Sequence, residues 1–84
     1  MSNKQIMICD VSKTYDNPLA ELVNVACQYN SSIYLETNDH KINAKSIMGI
    51  MAFNPSEGMN VNIIAEGSDE EKALTAMEKY LTCK

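Results

Sequence analysis

The chain has 84 residues, enough for one domain (1–84) and too few for a second. A domain of this size buries only about 60–65% of its unfolded surface, so its stability margin is thin. With 45% hydrophobic and 21% charged residues the composition excludes disorder, and a net charge of −4, with seven lysines and no arginine, argues against direct binding of nucleic acid or an anionic membrane surface.

The first segment, Lys4 to Cys9, places Ile6 and Ile8 two apart, as a half-buried strand requires. A polar stretch from Asp10 to Asn17 leads to Pro18, which suits the first turn of a helix because its missing N–H costs nothing there. Leu19, Leu22, Val23 and Ala26 then recur at i, i+3, i+4 and i+7, predicting an amphipathic helix to about Tyr29 with Asp16 or Asn17 as N-cap.

Asn30, Ser31 and Ser32 break that helix, and Ile33 and Leu35 alternate with polar neighbours as a second strand. Thr37-Asn38-Asp39-His40 is a turn cluster, returning as a short third strand over Lys41 to Ala44. Ser46 then opens an apolar run to Ala52, predicting a helix of one to two turns with the serine as N-cap. After a loop at Pro55 to Gly58, Met59, Val61, Ile63 and Ala65 alternate with Asn60 and Asn62, the clearest strand in the chain. Ser68-Asp69-Glu70-Glu71 reads as a capping box, opening a last helix with Leu74, Met77 and Leu81 along one face.

The predicted order is therefore β-α-β-β-α-β-α, an α+β fold with a four-stranded antiparallel sheet. Three helices cover one face and leave the other wet, as alternating strands require. Expected core residues are Leu22, Val23, Ala26, Val61, Ile63, Leu74 and Met77.

Cys9, Cys27 and Cys83 form no CxxC pair and their number is odd; with no apolar leader at the N-terminus, a reducing cytoplasm is the simplest home. His40 is the sole histidine and lies in the predicted hairpin turn, a poor partner for a catalytic thiol, which needs a positioned base beside it. No set of residues has metal-ligand spacing, so neither metal nor cofactor is expected.

This element order, at this length, resembles HPr, the histidine-containing phosphocarrier family of the bacterial sugar phosphotransferase system. The strongest stretch is Asn43-Ala44-Lys45-Ser46-Ile47-Met48-Gly49-Ile50-Met51, similar to the regulatory segment of HPr from low-GC Gram-positive bacteria; Ala65 to Glu70 is similar in kind. The resemblance implies an open-faced sandwich, with Ser46 as the residue phosphorylated by HPr kinase/phosphorylase. The active loop departs from the family. Where HPr carries Gly-Ile-His-Ala-Arg-Pro, this chain reads Lys13-Thr14-Tyr15-Asp16-Asn17-Pro18, so Tyr15 occupies the histidine position and Asn17 the arginine position. A phenol cannot hold phosphate as a readily transferred phosphoramidate, and Asp16 adds a negative charge where phosphate must arrive.

The catabolite-repression branch of the family (Crh) also lacks the histidine and keeps the serine, though with glutamine and arginine where Tyr15 and Asn17 stand here. The resemblance thus implies a regulatory protein of carbon catabolite repression, not an enzyme and with no catalytic residue of its own. Phosphorylated at Ser46, it would act as cofactor of a catabolite-control transcription regulator, with Ile47, Met48, Met51, Lys45 and Asn17 facing its partners. Homo-oligomers are compatible with the reading. The structural reading of Ser46 is a helix cap worth around 1 kcal/mol, that of Lys45 a solvated charge, and that of Tyr15 an exposed loop aromatic. Two other functions stay open: a degenerate phosphocarrier-like component of the same system, and an orphan binding module of this fold.

Overall fold

The computed structural model describes residues 2–37 and 40–82. Four strands and four helices follow in the order β1 (Ser2–Met7), α1 (Val11–Thr14), α2 (Pro18–Cys27), β2 (Ser32–Glu36), β3 (Lys41–Asn43), α3 (Ile47–Phe53), β4 (Asn60–Glu66) and α4 (Glu70–Leu81). The strands form one antiparallel sheet in the order β1-β4-β2-β3. This is the predicted α+β architecture, with three main helices on one face. The addition is α1, a single turn that Asp10 opens by accepting the Lys13 N–H at 3.3 Å.

Register follows from the alternation. Ile6, Val61 and Ile63 point to the helices, and Leu35 lies beside Ile63 and Ile42 across the two neighbouring strands. Ile33, Leu35, Ile63 and Ala65 are fully buried, as are Leu22 and Ala26 on α2 and Ile50 on α3. The expected first strand ends two residues early, at Met7. Ile8 nevertheless remains in the core because its N–H bonds the Met59 carbonyl at 2.9 Å, while the Cys9 N–H bonds that of Leu81 at 2.8 Å.

Two expectations about helix faces need correction. On α4 the buried residues are Ala73, Met77, Tyr80 and Leu81, and Leu74 is only half-buried at the flank. The small Ala73 side chain lets the helix seat closely on the sheet, so the buried stripe is turned towards Ala73 and away from Leu74. Val23 likewise packs from the edge of α2 while Leu22 and Ala26 face inward.

The Ser68–Glu71 capping box does not form. Asp69 is the N-cap residue of α4, and its carboxylate turns away from the helix to accept from the Asn30 N–H (3.0 Å), the Ser31 N–H (2.9 Å) and the Ser31 hydroxyl. Glu70 takes the other role, accepting from the Gly67 N–H at 3.3 Å and the Ser2 hydroxyl at 2.6 Å. These bonds hold both carboxyls below the ordinary carboxylate range, the Ser31 hydroxyl being the largest cause for Asp69 and the Ser2 hydroxyl for Glu70. Gly67 makes the approach possible: its φ is +152°, and a Cβ there would come within 2.7 Å of the Ser31 backbone. The β2–β3 turn closes through the Thr37 N–H on the His40 carbonyl at 2.8 Å; Asn38 and Asp39, named in the turn prediction, lie outside the described residues.

Candidate functional site

Ser46 caps α3 as expected. Its backbone is extended (φ −98°, ψ 114°), and its Oγ accepts from the Gly49 N–H at 3.2 Å. The Ser46 N–H reaches back to the Asn43 carbonyl at 3.0 Å, and the Lys45 N–H to the Asn43 side chain at 2.9 Å, so Asn43 organises the turn that presents the serine. The helix ends at Asn54, whose left-handed conformation (φ 52°) lets its N–H bond Ile50.

Helix α3 is two-sided. Ile50 is fully buried, whereas Ile47, Met48 and Met51 are 43%, 79% and 60% exposed. Those three side chains therefore do not complete the core; they form an apolar surface beside an exposed serine. Lys45 differs from expectation. Its Nζ donates to the Tyr29 carbonyl at 2.7 Å, just beyond the C-terminal end of α2, where the helix dipole favours a cation. It braces α3 against α2 and is not a freely solvated charge.

The loop before α2 forms a second cluster. Tyr15 is half-buried, not an exposed loop aromatic: its ring stacks on Tyr80 with centroids 4.2 Å apart and planes 8° from parallel. The hydroxyls are used reciprocally, Tyr15 donating to the Tyr80 carbonyl at 3.0 Å and Tyr80 to the Pro18 carbonyl at 2.8 Å. Burial, and then the nearby Glu21 charge, push the Tyr80 phenol above its ordinary pKa, so it remains a donor at neutral pH.

Asn17 takes the N-cap position of α2 with no side-chain cap bond, and its backbone N–H donates to the Glu21 carboxylate at 3.1 Å. Proline at the next position offers no N–H. An anion arriving at this helix N-terminus would therefore meet the Glu21 carboxylate and the exposed Asp16. The Tyr15 hydroxyl is already bonded, and His40 lies on the β2–β3 turn, outside this cluster. Positions 15 and 17 thus bring neither an imidazole nor a guanidinium to this helix N-terminus.

The structure thus brings Ser46, Ile47, Met48 and Met51 together on one short helix. It places Tyr15 and Asn17 in a separate cluster and turns Lys45 towards Tyr29. Tyr80 and Glu21, central to the loop cluster, escaped the sequence reading. Glu21 follows Asn17 by four residues, not the three of a capping box, and Tyr80 is 65 positions from its partner. Among the described residues no group of acidic, histidine or cysteine side chains could hold a metal, and no helix is long and apolar enough to cross a membrane. Cys27 carries a free, exposed thiol.

A four-stranded open sheet backed by three main helices, with a serine-capped apolar helix on its surface, defines a small domain of the phosphotransferase-system carrier type. The chain belongs to the HPr family: the profile described as PTS HPr component phosphorylation site matches residues 2–82. It is 42% identical over 64 residues to the HPr-like protein Crh of Bacillus subtilis (strain 168), covering 76% of this chain and 75% of Crh. The phosphocarrier HPr of Bacillus anthracis str. Ames superposes with a TM-score of 0.88 at 33% identity, covering 96% of each chain. The crystal structure of Bacillus subtilis Crh, described as a domain-swapped, intertwined dimer, gives a TM-score of 0.73 at 36% identity, covering 90% of this chain and 83% of that one. The chain is an HPr-like, Crh-like protein.

Proposed function

We propose that the protein is a regulatory member of the family in carbon catabolite repression and not a phosphocarrier. HPr kinase/phosphorylase phosphorylates Ser46, and the phospho-form acts as cofactor of a catabolite-control transcription regulator. The observation that carries this reading is the pairing of an exposed, helix-capping Ser46 with the exposed apolar Ile47, Met48 and Met51. A phosphate on Ser46 Oγ adds about −1.5 to −2 charges beside the first-turn N–H groups of α3, which the dipole there favours. The backbone fold stays as it is, and a partner meets a dianion next to adaptable methionines. Lys45 supports the surface from behind through Tyr29, and Asn17 offers the partner a neutral contact from the separate loop cluster. The protein is not itself an enzyme, needs no cofactor, works in the cytoplasm and contacts neither nucleic acid nor membrane directly. Self-association like that of the Crh dimer is compatible with this role.

Incubation with HPr kinase/phosphorylase and ATP, followed by intact-mass analysis, tests the reading. One phosphate should be added to the wild type and none to Ser46→Ala, and the phospho-form should bind the regulator more tightly than the unmodified protein. A wild type left untouched by the kinase, or a phospho-form that binds no better than Ser46→Ala, overturns it.

A further inference from the structure

The face of the sheet opposite the helices carries an array that the regulatory reading does not use. Gln5, Asn62 and Glu36 lie in register across β1, β4 and β2. Neighbouring strands are about 4.8 Å apart, so this row spans about 10 Å. Asn3 and Asn60 flank it on β1 and β4. Together with Thr37 and Met59, these residues line a shallow groove of about 880 Å³.

Among the described residues, the side chains of Asn3, Gln5, Asn60 and Asn62 have no hydrogen-bond partner. Each carboxamide presents a donor and an acceptor side by side, and Glu36, which stands between Asn62 and the edge-strand Lys41 in the register, adds an acceptor pair.

The chemistry of this lining selects its ligand. No cation lines the groove and one carboxylate does, so phosphates and other anions are disfavoured. The polar lining disfavours an apolar ligand. The backbone groups of the two inner strands, β4 and β2, are used in the ladder, which removes the main-chain bonds a peptide would seek. A second copy of this chain would find little apolar area to bury there, whereas stable homodimer interfaces are more apolar than ordinary surface. A neutral molecule rich in paired hydroxyls satisfies donor and acceptor of each carboxamide at once, with its C–H face against Met59.

We propose that this groove binds a neutral oligosaccharide, a sugar of two or three units lying along the Gln5–Asn62–Glu36 row. The aromatic face of Tyr34, one row away, is covered by the Lys41 ammonium at 4.9 Å from the ring centroid, so hydrogen bonds carry recognition and the affinity is millimolar.

Titration of uniformly 15N-labelled protein with maltotriose and, separately, cellotriose tests this by NMR. The side-chain NH2 resonances of Gln5, Asn62 and Asn60 should shift and saturate with at least one of the two, while core amides stay in place. Asn62→Val and, independently, Gln5→Val should each weaken binding by about tenfold, as loss of a bidentate contact requires. Valine keeps the strand preference, and an unchanged core amide pattern confirms each fold. The proposal is overturned if neither sugar moves these resonances at high millimolar concentration. It is equally overturned if both variants bind as the wild type does, or if dilution alone reproduces the shifts, which would mark the face as a self-association surface.

Discussion

If the Tyr15–Tyr80 pair clamps the loop onto the C-terminal helix, removing either partner should destabilise the domain by amounts that do not add. Each hydroxyl makes one bond, Tyr15 to the Tyr80 carbonyl at 3.0 Å and Tyr80 to the Pro18 carbonyl at 2.8 Å. A typical net hydrogen bond contributes about 1 kcal/mol. The Tyr80 carbonyl also accepts from the Thr82 N–H, so Tyr15→Phe leaves it partnered and should stay near that figure instead of reaching the ~3 kcal/mol of an orphaned group. Tyr80→Phe should likewise cost about 1 kcal/mol. The parallel stack at 4.2 Å adds a pairwise term of about 0.5–1.5 kcal/mol beyond area burial. A double-mutant cycle with Tyr15→Leu and Tyr80→Leu isolates that term, because the larger burial loss at Tyr80 appears on both arms and cancels. Urea denaturation at neutral pH, with common m-values, reads all four proteins. A coupling below about 0.3 kcal/mol, within the scatter of independent sites, would show that the rings are merely adjacent.

The same cluster predicts how phosphocarrier activity responds to repair. Wild type should remain unmodified by enzyme I and phosphoenolpyruvate, and Tyr15→His with Asn17→Arg should recover transfer further when Glu21→Gln is added, because the carboxylate at the Asn17 N–H is then neutral. A phosphorylated wild type, or no gain from Glu21→Gln, contradicts the account. At the other end of the molecule, the Asp69 carboxyl is held below its ordinary value of 3.8 by the Ser31 hydroxyl first and the Asn30 N–H second. Its contribution is therefore complete above the unfolded pKa of about 3.9 and lost as pH falls through the lower folded value. Denaturation midpoints measured between about pH 2 and 6 should fall on acidification less steeply for Asp69→Asn than for wild type; equal slopes would remove Asp69 from the acid response.

Much of the fold was legible because strands and helices impose different periods on the same alphabet. Val61, Ile63 and Ala65 alternate with Asn60 and Asn62 and could be nothing but a strand with one wet face. Ser46 announced α3 because a short hydroxyl before an apolar run has one common use. The failures have local causes. Leu74 attracted the face assignment on α4, but hydrophobicity does not register how closely a helix can approach, and Ala73 decides that. The Ser68–Glu71 spacing satisfied a capping rule, yet Asp69 had a better offer from two backbone N–H groups and a hydroxyl some 38 residues away. Pairing across such distances leaves no periodic trace. The Tyr15–Tyr80 stack is hidden for the same reason, since neither tyrosine sits in a pattern that names the other.

This hidden pairing changes how the active loop should be understood. Read along the chain, the stretch from Lys13 to Pro18 lacks the groups that phosphoryl transfer needs. In three dimensions it is filled as well: a ring occupies the space over Tyr80, a hydroxyl takes the Pro18 carbonyl, and Glu21 takes the Asn17 N–H. With the neighbouring donors and acceptors occupied, the loop offers an arriving anion few free partners. The surface of α3 has been left the opposite way, its serine exposed and three large apolar side chains uncovered. Such exposure costs a small domain solubility and offers no packing in return. The two clusters therefore call for different kinds of explanation. The loop is accounted for by the stability of the isolated domain, whereas the exposed face of α3 is what the proposed regulatory role would put to use.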